Sequence, residues 1–273
     1  MWLKGISCRL FSSAVLLCLL RSPAAGTGLY LDLPAWFQDA DTSGTELTAG
    51  ETWLESDRAD AIVLALGVSF NPGRRTSVKL GIIYPAIQLK GGFEHGFGDG
   101  SVSAATRIKG DSLNTSGLFL RWDARIPSGS GALEPFSFRS GGGIYPDVGA
   151  GFEFRKETSF LKFRAAATWT RVGQRNEGEG LVNVDYLLVG ALVGIKAGVR
   201  TGLQGSAFSI HFDGAGHREC FLLGLTRELS GGLDLTMTGG IESGRREDRI
   251  FDSSISVFFT CRFPAAAAAA EGG

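Results

Sequence analysis

Three histidines and the serines near them are the first places in this sequence to look for chemistry. In "SIHFDGAGH" Ser209 stands two residues before His211, so on an extended strand the two side chains share a face. A serine beside an imidazole is the beginning of a nucleophile and its base, and His211, Asp213 and His217 are all metal-ligand types. Neither pattern is complete. The spacing of the three ligand types matches no dedicated metal site, and His95 stands alone. The expectation is no catalytic residue, no metal and no cofactor, with these side chains in loops or at their edges.

The charged residues carry more. "LFLRWDARI" puts Leu118, Leu120, Trp122, Ala124 and Ile126 on one side of an extended chain, and Arg121, Asp123 and Arg125 on the other with Phe119. A helix would mix the two sets. Val148, Ala150, Phe152 and Phe154 oppose Asp147, Glu153 and Arg155 in the same way. Leu161, Phe163, Ala165, Ala167 and Trp169 oppose Lys162 and Arg164, and Leu233, Leu235, Met237 and Ile241 oppose Asp234, Thr236, Thr238 and Glu242. In water the apolar faces would pack on a core, whereas in an outer-membrane barrel they would meet lipid and the polar faces would line the interior. On the second reading Lys79, Arg107, Arg121, Asp123, Arg125, Glu153, Arg155, Lys162, Arg164 and Arg262 all point inward. They would either guide solutes or brace the wall through arginine-carboxylate pairs.

The elements that would position these residues are strands. Twelve segments, near 45–56, 60–70, 76–87, 98–109, 115–127, 144–155, 159–171, 182–194, 199–210, 217–229, 232–242 and 252–263, show strand character without a sustained helical period. The first alternates poorly. If the last strand ends at the periplasmic rim, the short connections "NPGRR", "GDSL", "KET", "KAG" and "SG" all fall on one side. Longer ones, including "LKGGFEHGF", "SGSGALEPFSFRSGGG", "GQRNEGEG", "HFDGAG" and "SGRREDRIF", fall on the other, with "SDRAD" the short exception. Sorting of turns from loops is a barrel property that a soluble sandwich has no reason to show.

The rest of the chain sets bounds. Its 273 residues include 40 glycines, which suits curved, crowded sheets, and a net charge of -1 that names no nucleic-acid partner. Lys4 and Arg9, then "LFSSAVLLCLL" and "RSPAAG", read as an export signal cleaved near Ala25 or Thr27; the eleven apolar residues fall short of the roughly 20 needed to span as a helix. Cys8 and Cys18 lie inside that signal. Alternation puts Cys220 inward and Cys261 outward, which argues against a bond between them. Trp122, Phe152, Phe154, Phe163, Trp169, Tyr186, Phe259 and Phe263 are expected on apolar faces, those near strand ends forming girdles at the membrane interfaces. The last strand, "DSSISVFFTCRF", places Ile255, Val257, Phe259 and Phe263 on one face and looks like the C-terminal assembly signal of outer-membrane barrels, although "PAAAAAAEGG" follows it.

With the strands placed, the middle of the chain resembles a known group. "GFGDGSVSAATRI", "SGLFLRWDARIPSGSG" and "DVGAGFEFRKETSFLKFRAAATWTRVG" follow one another as in the MetA-pathway of phenol degradation family. "LLVGALVGIKAGVRTGLQGSAF" and the Phe-ended last strand fit as well, so the similarity spans roughly Phe97 to Phe263. The resemblance implies an outer-membrane barrel linked by name to the uptake of aromatic compounds. An outer-membrane phospholipase is the enzymatic alternative, but its Asn-His stretch is absent.

The expectation is an all-β chain, a transmembrane antiparallel up-and-down β-barrel of about twelve strands in the bacterial outer membrane. Residues 1–25 would be the signal peptide, 26–43 a periplasmic or plug segment, 44–263 the barrel and 264–273 an alanine-rich tail. Outer-membrane lipids, the barrel-assembly machinery and a small solute, aromatic or apolar in character, would be its partners. A non-conducting structural or ligand-binding barrel, an exported soluble β-protein and a membrane hydrolase are the other readings.

Overall fold

The computed structural model describes residues 44–264, except 57–58, 74, 90–91, 98–99, 112–114, 127–146, 172–175, 178–179, 182–184, 213–215 and 244–250. The expected signal peptide, the segment 26–43 and the residues of the tail beyond Pro264 lie outside them. In chain order the strands are β1 (Gly44–Glu55), β2 (Ala59–Gly73), β3 (Thr76–Leu89), β4 (Gly92–His95), β5 (Gly100–Gly110), β6 (Gly117–Ile126), β7 (Asp147–Glu157), β8 (Leu161–Arg171), β9 (Asn176–Glu177) and β10 (Gly180–Leu181). They continue with β11 (Tyr186–Lys196), β12 (Thr201–Phe212), β13 (Gly216–Ser230), β14 (Leu233–Ser243) and β15 (Ser253–Pro264). The described residues contain no helix.

Twelve of these strands close a ring. The hydrogen-bonded order runs β2-β1-β15-β14-β13-β12-β11-β8-β7-β6-β5-β3, and β3 pairs back with β2. Every neighbour is antiparallel, and apart from the closing pair β1–β15 each is next in chain order among the twelve, so the barrel is up-and-down. The strands run from 10 residues in β6 to 15 in β2 and β13. A tilted strand needs about 9–11 residues to cross a bilayer, so each is long enough. The three short strands sit in the longer connections: β4 turns back onto Ala86–Leu89 of β3, and β9 with β10 forms a small hairpin.

Burial identifies the two surfaces of the wall. On β6, Phe119 and Arg121 are buried while Trp122 is 50% exposed; on β7, Glu153 is fully buried while Phe152 is 55% exposed. Around the ring the outward side carries Ile62, Leu80, Ile82, Trp169, Val189, Leu223 and Ile255, all exposed. A soluble sandwich hides its apolar faces and wets its charges. This sheet does the reverse, which favours an apolar surrounding over the reading as an exported soluble β-protein.

Local chemistry explains the ends of the strands. The β13–β14 turn is Gly231-Gly232, one position later than expected, because Gly232 takes φ +94°, a conformation in which a side chain is strained. β1, whose alternation was weakest in the sequence, is nevertheless a complete strand between β15 and β2. Its inner face is polar for a structural reason. The Thr52 hydroxyl donates to Ser256 at 2.9 Å and the Thr48 and Thr260 hydroxyls meet at 3.2 Å, tying the first strand to the last. Between them Gly50 faces Phe258, and a Cβ at Gly50 would collide with the Phe258 ring and the Val257 carbonyl oxygen.

Candidate functional site: the inner wall

The β-sheet register gathers the charged residues of β6, β7 and β8 into one field on the inner wall. Neighbouring strands place Arg121 opposite Gly151, Phe119 opposite Glu153, and Arg155 opposite Arg164. Gly149 and Gly151 let β7 lie close against β8, since a Cβ at Gly149 would meet the Thr170 hydroxyl and one at Gly151 the Ala167 carbonyl. Arg121 donates Nε to Asp123 Oδ2 at 2.9 Å and Nη2 to Oδ1 at 3.0 Å, while its Nη1 reaches Glu153 Oε2 at 3.3 Å. Arg155 donates Nε to Glu153 Oε1 at 2.8 Å and lays its guanidinium 4.0 Å above the Phe119 ring. Arg125 and Asp147 lie 4.0 Å apart beyond Asp123, towards the end with the longer loops. Tyr186 stands close enough to Arg125, Asp147 and Asp123 to feel their charges, and hydrogen-bonds Thr170.

The remaining charges expected on this surface occupy its flanks. Lys79 of β3 pairs with Ser103 of β5, whose next partner is Asp123, so Lys79 is on the same inner face. Lys162 and Arg164 continue the face on β8, Arg164 being only 2% exposed. Arg107 of β5 lies opposite Phe119, and its Nη1 is buried without an acceptor among the described residues; the buried hydroxyl of Thr168 also has no partner there. A separate knot ties the short-turn end: Arg262 of β15 pairs with Glu46 of β1 at 3.3 Å and with Asp234 of β14. By strand register these ten charges lie on the inner face, in two groups rather than one.

On β11, β12 and β13 the inner wall changes character. Leu188, Leu192, Phe208, Ile210 and Leu222 turn inward and are buried, with Cys220 beside them as a free thiol. Tyr186 belongs to this face, paired with Thr170 of β8, and not to the outer apolar girdle where the sequence put it. The physical reason is that "YLLVGALVGI" is apolar on both faces, so alternation marks no phase there. Cys261 lies on the outer face in register with Leu233 and Leu47, so the two cysteines do not meet. At the loop end an apolar-lined cleft of about 500 Å³ joins Trp53, Leu54, Ala61, Ile62 and Ile255.

The outer face holds the other residues of interest. Ile255, Val257, Phe259 and Phe263 project outward from β15, Ile255 and Phe263 being exposed. Ser209 and His211 also face outward, with Oγ and Nε2 3.0 Å apart and the His217 ring stacked 5.8 Å from that of His211. Among the described residues no carboxylate hydrogen-bonds His211, so nothing there orients the imidazole as a base, and no cluster of three His, Cys, Asp or Glu is placed to hold a metal. Asp213 lies outside the described residues.

No protein-family model matches the chain, and no curated protein matches it in sequence. Solved structures do match in shape. The COG4313 outer membrane channel from Pseudomonas putida F1 superposes with a TM-score of 0.63 at 11% identity, covering 83% of this chain and 98% of that one. The fold is that of an outer-membrane barrel. The NanC porin gives a TM-score of 0.60 at 9% identity over 80% of this chain and all of the porin. The translocator domain of the autotransporter NalP from Neisseria meningitidis gives 0.52 at 13% identity over 92% of this chain and 98% of the domain.

Proposed function

We propose that this chain resides in the bacterial outer membrane and carries a small solute, aromatic or apolar in character, through its barrel. The observation that carries the reading is the apolar strip of Leu188, Leu192, Phe208, Ile210 and Leu222 on an inner wall that is otherwise polar. Paired charges and hydroxyls brace the rest of the inner wall; a strip of aliphatic and aromatic side chains is instead suited to packing against an apolar body. The fold shared with a channel and a porin agrees with this, as does the resemblance of Phe97 to Phe263 to the MetA-pathway family. Outer-membrane lipids meet the exposed apolar face, and Ile255, Val257, Phe259 and Phe263 present the C-terminal signal to the assembly machinery.

The interlocked Arg121, Asp123, Glu153 and Arg155 favour a second reading, a braced barrel that conducts nothing. Two measurements on the refolded protein separate them. Current steps in planar bilayers, together with osmotic swelling of proteoliposomes in an aryl glucoside too polar to cross lipid unaided, are the outcomes of a solute pathway. Neither current nor swelling, from protein that shows heat-modifiable migration, leaves the braced barrel.

A further inference from the structure

The inner wall has two chemically different sectors that share a seam. On β3 and β5–β8 seven basic side chains face inward, against the acids Asp123, Asp147, Glu153 and Glu157. Asp123, Glu153 and Asp147 each face an arginine of the wall, and with seven bases against four acids the described residues of this sector carry an excess of positive charge. Arg107 sharpens the point, because its buried Nη1 lacks any acceptor among them. A buried guanidinium donor without an acceptor is costly, and a carboxylate or sulfonate oxygen satisfies it best. The apolar sector begins directly beside this field: Arg164 of β8 is in register with Leu192 of β11, and Thr168 with Leu188.

We infer that the solute class is a small organic anion with an apolar body, its acid group passing along β5–β8 and its body along β11–β13. This rests on the channel reading above and adds the sign of the charge to it. A neutral apolar solute would have no use for the cation excess, and an organic ammonium would be opposed by it. A simple inorganic anion would gain nothing from the leucine and phenylalanine strip.

Ion selectivity tests this in planar bilayers at low salt, where screening is weakest. Under a potassium chloride gradient the reversal potential should take the sign of chloride preference. With benzenesulfonate as the anion its permeability should exceed that of benzyltrimethylammonium by about tenfold, the lower range of electrostatic focusing by a charged cleft. Benzenesulfonate should also permeate faster than the smaller methanesulfonate, the reverse of the order that size dictates. Arg107→Gln, which removes one charge while keeping a polar amide, should lower the anion preference, whereas Glu177→Gln in the β9 hairpin should not. A cation-selective current, or methanesulfonate ahead of benzenesulfonate, overturns the inference and leaves the channel standing. No current under any of these salts removes both.

Discussion

Replacing Glu153 by alanine tests whether the charge field holds the wall together. The carboxylate is fully buried, receives Nε and Nη2 of Arg155 at 2.8 and 3.2 Å, and receives Nη1 of Arg121 at 3.3 Å. Truncation leaves the guanidiniums of two buried arginines short of their shared acceptor. Removing one partner from a buried pair costs about 3–5 kcal/mol, because the remaining charge stays desolvated. Arg155 retains its position over Phe119 and Arg121 retains Asp123, which places the expectation near the lower end of that range. Asp123→Ala should cost less, since its side chain is a quarter exposed and Arg121 keeps Glu153. Glu177→Ala, in the β9 hairpin outside the barrel ring, should stay within about 0.5 kcal/mol of the parent. The measurement is urea unfolding of the barrel in lipid vesicles, followed by tryptophan fluorescence. If Glu153→Ala and Glu177→Ala unfold at the same urea concentration, the bracing argument is wrong. A double mutant of Arg121 and Glu153 whose losses simply add would also refute it, because coupled partners show interaction energies.

Two further substitutions address the surfaces. Trp122→Arg, at mid-strand on the outward face of β6, should cost about 2–4 kcal/mol in bilayers, and a cost below about 0.5 kcal/mol would mean that water rather than lipid bathes that face. Gly50→Ala drives a methyl into the Phe258 ring and the Val257 carbonyl, so it should destabilise the closure by about 1–3 kcal/mol and lower the temperature at which heat-modifiable migration is lost; an unchanged transition would show that the β1–β15 junction tolerates the bulk.

Much of the architecture can be read in the residues because a lipid-facing barrel writes its two solvents into alternate positions. β6, β7, β8 and β14 each oppose charges to aliphatic or aromatic side chains, and there phase, strand and inward residue are legible together. Where both faces are apolar the signal vanishes, so alternation alone assigns Tyr186 to the wrong face and does not reveal the inner strip of β11–β13. Pairings were beyond reach for another reason. Nothing local joins Arg121 to Glu153, or Gly50 to Phe258, since each pair is set by the register of separate strands. The polar inner face of β1 looked like irregularity because its threonines answer to hydroxyls on β15, more than two hundred residues away.

That junction has a consequence for how the protein is made. Thr48 and Thr260 are 212 residues apart in the chain, so the contact that completes the ring forms only between its first and last strands. Until then β1 and β15 each present an unmatched edge of amide and carbonyl groups, which hydrocarbon cannot satisfy. Half a barrel is therefore no resting place within a membrane. Insertion and closure must finish as one event, with the earliest strand kept waiting, in water or on a helper, for the one synthesised last.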